Sequence, residues 1–159
     1  MCGIAGIVSY NGMPVEETLL ARMRDALSHR GPDDAGVFVS GSAGLAHRRL
    51  SIIDLSACAH QPMPNEDSTV FVVHNGEIYN YLELRPELER RGHSFRSHGD
   101  TEVILHAYEE WGEKCVERFN GMWAFAILDL RKKRLFASRD RFGVKPFYYY
   151  RDDRVFVFA

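Results

Sequence analysis

Met122 to Leu128 reads MWAFAIL, a nearly unbroken apolar run, and no other stretch limits the folds open to this chain so strongly. Seven residues with no polar alternation suit a strand buried on both faces. Leu135–Ser138, Phe147–Tyr150 and Val155–Phe158 read as three further strands, separated by Asp140-Arg141-Phe142-Gly143 and Asp152-Asp153. The charged stretch from Leu130 to Arg134 reads as a solvated connection. Such short links predict antiparallel pairing. The sequence stops on the last of these strands without a cap or polar tail, which reads as a cut within a longer protein.

The first half alternates strands with helices. MCGIAGIV opens with a strand built on Ile4, Ile7 and Val8, and Asn11-Gly12 is a turn. Pro14 marks a helix start, and Val15, Leu19, Leu20, Met23 and Leu27 form one apolar face, with His29 and Arg30 in the last turn and Gly31-Pro32 as the stop. Val37–Val39 is a short strand before a turn at Ser40-Gly41-Ser42. In GLAHRRLSIID (Gly44–Asp54), Leu45, Leu50, Ile52 and Ile53 are expected in a sheet core, and residues 55–68 are expected as a surface loop. Thr69–His74 is a strong strand. Asn80 with Glu83 predicts a capped helix containing Pro86 and ended by Gly92. A second amphipathic helix carries Val103, Ile104, Ala107, Tyr108 and Trp111, with Asp100 or Thr101 as its cap and Gly112 as its end. A short helix with an inert, buried Cys115 follows.

Length and composition narrow the function classes. At 159 residues the chain suits one domain with a sizeable core, and 45% apolar with 26% charged residues is ordinary for a globular protein. A net charge of −2 gives no electrostatic case for nucleic acid or a membrane surface. No apolar run approaches a membrane span. Three scattered cysteines, Cys2, Cys58 and Cys115, argue against a disulfide framework or zinc site and favour a reducing, cytoplasmic setting. The seven histidines show no ligand-like spacing.

Four places carry chemistry, each with a plain structural alternative. Cys2 stands behind the initiator Met, with no signal-peptide pattern before it. Without Met1 it carries both a thiol and an α-amine that titrates at about 8, so the amine can act as the base for its own nucleophile. As a lone feature it reads first as a small buried hydrophobe. Arg48 and Arg49 are neighbours on a strand, so one points to solvent while the other points inward and needs an anion, unless both sit on a solvated edge. Asn75-Gly76 reads as a hairpin turn, or as a side-chain amide and an N–H placed to stabilise an oxyanion. Asp100 is a helix cap or a free carboxylate.

MCGIAGIV, HRRLSIIDLS, HNGEIYN, GDTEVIL and RDRFGVKPFYYY, taken in order, closely resemble the glutaminase domain of glutamine-dependent asparagine synthetases, the class II amidotransferases. The resemblance spans residues 1–159. It implies an α+β, N-terminal nucleophile hydrolase fold: two stacked, mostly antiparallel sheets flanked by helices, cut short at its C-terminal end. It also implies a role for each motif residue. Cys2 becomes the nucleophile and its α-amine the base and acid. The Asn75 side chain and Gly76 N–H become the oxyanion hole. Arg49 holds the substrate α-carboxylate, Glu77 and Asp100 its ammonium, and Leu50 and Ile53 also line the substrate. The implied reaction is hydrolysis of the glutamine side-chain amide through a thioester, with no cofactor in this domain. The ammonia passes to a covalently linked C-terminal synthetase domain, absent here, that uses ATP and magnesium to amidate aspartate. A homodimer is implied for the full-length protein. Relatives with the same module amidate other acceptors, and a non-catalytic domain of the same fold is the competing reading from another class.

Overall fold

The apolar run is a strand, Gly121–Asp129, and its alternate residues are buried on two different sides. Trp123, Phe125 and Ile127 face helices, whereas Ala124, Ala126 and Leu128 face a second sheet. The computed structural model describes all of residues 1–159. In chain order the elements are β1 (Gly3–Ser9), α1 (Glu17–Ala26), β2 (Asp34–Ser40), β3 (Ala43–Arg49), β4 (Met63–Pro64), β5 (Val70–Ile78), α2 (Tyr81–Arg90), α3 (Thr101–Trp111), β6 (Gly121–Asp129), β7 (Arg134–Arg139), β8 (Tyr149–Arg151) and β9 (Val155–Phe158). Short 3₁₀ turns occupy Ala57–Ala59 and Gly112–Glu117.

Two antiparallel sheets result, one ordered β2-β3-β1-β9-β8 and the other β4-β5-β6-β7. Ile4, Leu45 and Phe158 from the first meet Phe71, Val73 and Leu128 from the second in the layer between them. Helix α1 covers the outside of the first sheet through Leu20, against Ala5, Ile7 and Ala46. Helices α2 and α3 cover the outside of the second through Leu84, Leu88, Ile104 and Tyr108. The order helix, sheet, sheet, helix is the expected layering. No helix is long and apolar enough to cross a membrane.

Several local expectations are corrected. Helix α1 begins at Glu17 and not at Pro14, because the Val15 N–H is held by the Gly41 carbonyl at 2.9 Å and Glu16 is extended. It ends at Ala26, so His29 and Arg30 lie beyond it, and Leu19 is exposed. Strand β3 stops at Arg49, which leaves Ile52 71% and Ile53 37% exposed instead of in a sheet core. The chain turns there because the Ser51 N–H binds the Asp33 carboxylate at 2.7 Å. Residues 55–68 are more than a surface loop. Gln61, Met63 and Asn65 are buried, and Asn65 Oδ1 accepts the N–H groups of Thr69 and Val70 at the start of β5.

Asn75-Gly76 is not a hairpin turn: β5 runs straight through it, with Asn75 opposite Ala124 and Gly76 opposite Trp123. Asn80 precedes α2 as expected but does not cap it with its side chain. That amide instead binds the Asn120 N–H and the Arg118 carbonyl, at 2.9 Å each. Helix α2 continues past Pro86 to Arg90. Strands β7 and β8 do not pair, although their connection is short, because the chain crosses between sheets there. The buried Asp140 carboxylate organises the crossing by accepting the N–H groups of Trp123, Phe142, Val144 and Lys145.

Candidate active site

Cys2 immediately precedes β1, and its side chain follows the alternation that points Ile4 into the layer between the sheets. The Leu50 N–H donates to Cys2 Sγ at 3.4 Å, and Arg30 Nε donates to the Cys2 carbonyl at 3.0 Å. Burial pushes the Cys2 thiol above its usual value. The Leu50 N–H, the positive chain terminus and Arg49 oppose that rise, and Asp100 adds to it. Met1 precedes Cys2 here, with its sulfur 3.3 Å from the buried Lys145 Nζ.

Arg49 is the inward arginine. It shares the inner face of β3 with Leu45 and His47, and it is 7% exposed, whereas Arg48 points toward α1. Its guanidinium donates to the Ser56 carbonyl at 3.0 Å and to the Asp54 carbonyl, but it pairs with no carboxylate of the chain. Asp54 in turn fastens this turn of chain to residue 98, accepting the Ser56 N–H at 2.8 Å and the His98 N–H at 2.7 Å. A buried cation held only by carbonyls can still take up an anion, and its fork suits a carboxylate.

Strand β5 supplies the next groups along its free edge, beyond the short β4. Alternate N–H groups of an antiparallel strand share an edge. On this one the His74 N–H goes to Gln61 Oε1 at 2.7 Å and the Ile78 N–H to Asp100 Oδ2 at 2.8 Å. The Gly76 N–H between them faces the pocket. Gly76 cannot carry a side chain, because a Cβ there would run into the Met122 carbonyl and come within 2.7 Å of Trp123 Cα. Asp100 therefore occupies the cap position of α3 without capping it; one carboxylate oxygen braces β5 and the group remains buried against the pocket. Glu102, two residues further on, fixes the approach to Asp100 by accepting from the N–H groups of Arg96 and Ser97. Burial would raise its carboxyl, but His106, Ser97 and these N–H groups hold it down at about 2.

The pocket thus brings together Cys2, Arg49, Leu50, Ile53, Gly76 and Asp100. Asn75 and Glu77 are not in its lining. They lie on the β5 face that Phe71 and Val73 present to the other sheet, the same layer into which Cys2 and Arg49 point. The Asn75 side chain is buried and Glu77 forms no ion pair. Gln61, His74 and Thr101 also line the pocket and were not singled out from sequence. Gln61 sat in an apparent loop, and Thr101 read as a cap.

A second cluster joins His93, His106 and Glu109, whose ligand atoms lie within 4.8 Å of one another despite their unremarkable spacing in sequence. Burial would lower the His106 imidazole, but Glu102 and Glu109 raise it to about 9. An imidazolium between two carboxylates makes this an ion-pair lattice that anchors α3.

Comparison with known proteins agrees with this geometry. A family model described as a glutamine amidotransferase domain matches residues 1–159. A putative glutamine-hydrolysing asparagine synthetase of Methanocaldococcus jannaschii is 46% identical over 100% of this chain and 34% of its own length. A glutamine-hydrolysing asparagine synthetase of Bacillus subtilis is 45% identical over 100% of this chain and 26% of its own. The chain spans only about a quarter to a third of these relatives. Among solved structures, the glutamine phosphoribosylpyrophosphate amidotransferase of B. subtilis superposes with a TM-score of 0.81 at 19% identity, over 99% of this chain and 41% of that one. The fold is the α+β N-terminal nucleophile hydrolase fold expected from the motifs, and the chain belongs to the glutamine amidotransferase family.

Proposed function

We propose that this domain hydrolyses the side-chain amide of glutamine with Cys2 as nucleophile, and that it feeds ammonia to an asparagine-forming synthetase domain in a longer protein. The observation that carries the reading is the convergence of Cys2 Sγ, the unpaired inward Arg49 and the free Gly76 N–H on one pocket. Glutamine is a zwitterion with a neutral amide at its far end. Arg49 suits its carboxylate, Asp100 and Glu77 suit its ammonium, and Leu50 and Ile53 wall the pocket beside them.

The chemistry follows once Met1 is removed. The α-amine of Cys2 takes the thiol proton, and the sulfur bonds to the amide carbon. The amide oxygen becomes an oxyanion that accepts from the Gly76 N–H and the Asn75 amide. The amine returns its proton to the leaving nitrogen, the C–N bond breaks and ammonia departs. Water then adds to the thioester, the C–S bond breaks, and glutamate leaves the thiol restored. ATP and magnesium act only in the synthetase domain, on the aspartate acceptor. The free cysteines suit a cytoplasmic setting.

Labelling with a diazoketone mimic of glutamine tests the assignment. The adduct is expected on Cys2 and blocks glutamate release; Cys115 is buried and its thiol is pushed up to about 12 by that burial. An adduct on Cys58 alone, with Cys2 unmodified, would overturn it.

The arginines give a second test. Arg49→Ala is expected to raise KM for glutamine roughly 10- to 100-fold, since a charged hydrogen-bonded contact is worth about 1.5–3 kcal/mol, with a smaller fall in kcat. Arg48→Ala, on the α1 side, should leave KM within about threefold. The reverse ranking would mean that β3 presents its other face to the substrate.

A further inference from the structure

His74 lines the pocket yet has no part in the hydrolysis just described. It is 3% exposed and projects from the β5 face that carries Val72 and Ile78, opposite to Asn75. Its Nε2 is buried without any hydrogen-bond partner. A buried polar atom without a partner calls for an explanation.

The contacts around the ring support one of its two neutral tautomers. The main-chain N–H of His74 can only donate, so the Gln61 side-chain atom it meets at 2.7 Å is the amide oxygen. The Gln61 amide nitrogen therefore donates to Thr101 Oγ1, at 3.3 Å. With that hydrogen bond accepted, the Thr101 hydroxyl still has its own proton to give, and His74 Nδ1 lies 3.2 Å away to take it. Nδ1 is then an acceptor, and the ring proton sits on Nε2. Burial keeps the imidazole below its usual titration range and hence neutral, against the pull of Asp100 and with the help of Lys145. His47 leaves this arrangement intact, since its ring nitrogen meets the main-chain oxygen of His74, 3.1 Å away.

The unpartnered Nε2–H lies against Gly76: a Cβ built on that glycine would stand 2.7 Å from Nε2. It therefore lies beside the residue whose N–H is the one on this β5 edge that the protein leaves free. We propose that His74 Nε2–H is a further hydrogen-bond donor to the amide oxygen of bound glutamine, beside the Gly76 N–H, and that the Gln61–Thr101 pair is a positioning relay that keeps the proton on that nitrogen. The assignment rests on the glutaminase reading above. It adds a neutral donor whose bond strengthens as charge develops on the oxygen, so its effect falls on turnover. It also explains why a histidine so near a thiol is not its base. Its only lone pair is turned toward Thr101, and the other ring nitrogen already holds a proton.

The test uses the full-length protein with Met1 removed. His74→Phe keeps a ring but loses the donor. It is expected to lower kcat for glutamate release on the order of 10- to 100-fold, with KM within about threefold. Thr101→Val, which removes the hydroxyl but keeps the shape, should lower kcat in the same direction by less. A second readout is nitrogen NMR of labelled histidine in the Cys2→Ala protein. His74 should be protonated on Nε2, and saturating glutamine should shift that resonance; in Thr101→Val the proton should redistribute toward Nδ1. Wild-type kcat in His74→Phe, or an Nε2 resonance unmoved by glutamine that binds, would overturn the proposal while the glutaminase reading stands. If His74→Phe does not fold, the NMR arm decides alone. Wild-type protein that releases no glutamate would defeat the proposed function first, and a His74 resonance then unmoved by glutamine would defeat this proposal as well.

Discussion

Asn75→Ala is expected to cut kcat for glutamine hydrolysis by about 10² to 10³, equivalent to about 2.7–4 kcal/mol, while KM changes by no more than a few-fold. The asymmetry follows from when the interaction exists. The amide carbonyl of the substrate carries little charge in the ground state and a full negative charge after attack, so a donor aimed at it acts mainly on the transition state. Asn75 sits within a continuous strand. Its backbone pairs with Ala124, and its side chain shares the inter-sheet face with Phe71 and Val73, so truncating it leaves β5 in place. Gly76→Ala should be at least as damaging to kcat by a different route. The new methyl would meet the backbone of Met122 and Trp123, which cannot rotate away, so the N–H must change its aim. The two variants are separable by melting temperature, because only Gly76→Ala strains the β5–β6 pair. Kinetics showing unchanged kcat with weakened binding in Asn75→Ala would mean that the residue shapes the pocket without serving the oxyanion.

Local patterns made the layers and most of the residues that meet at the pocket legible. The runs around Ile4, Val73 and Phe125 have no polar alternation, and the structure buries each of them on two sides. Cys2, Arg49 and Gly76 stand in short motifs whose neighbours give them away. What stayed hidden depends on partners distant in sequence. Asn-Gly is the strongest hairpin signal, yet β6 pairs with β5 from Val70 to Ile78 and holds it extended. Asp100 looked like a cap because its position is one; only the folded chain brings the Ile78 N–H to its carboxylate. Ile52 and Ile53 read as core because they are apolar, but the turn after Arg49 leaves both partly in solvent. The Gln61–Thr101–His74 relay joins a loop, a helix start and a strand, and no spacing in the sequence announces it.

The α-amine of Cys2 is the group on which the account depends. No side chain lining the pocket is left to serve as base: Asp54 accepts from the Ser56 and His98 N–H groups, Asp100 is tied to the Ile78 N–H, and the His74 lone pair faces Thr101. An amine titrating at about 8 can take and return a proton near neutral pH. Converting it to an amide removes that basicity while leaving the thiol, the pocket and the fold unchanged. The decisive measurement is glutamate release from three forms of one protein, with free Cys2, with Nα-acetylated Cys2 and with Met1 retained, each verified by mass spectrometry and matched in melting temperature. Free Cys2 should turn over, and both blocked forms should lose nearly all activity; the small acetyl group separates lost basicity from the bulk of Met1. Comparable turnover in the acetylated form would contradict the single-residue mechanism and return the role of base to a side chain.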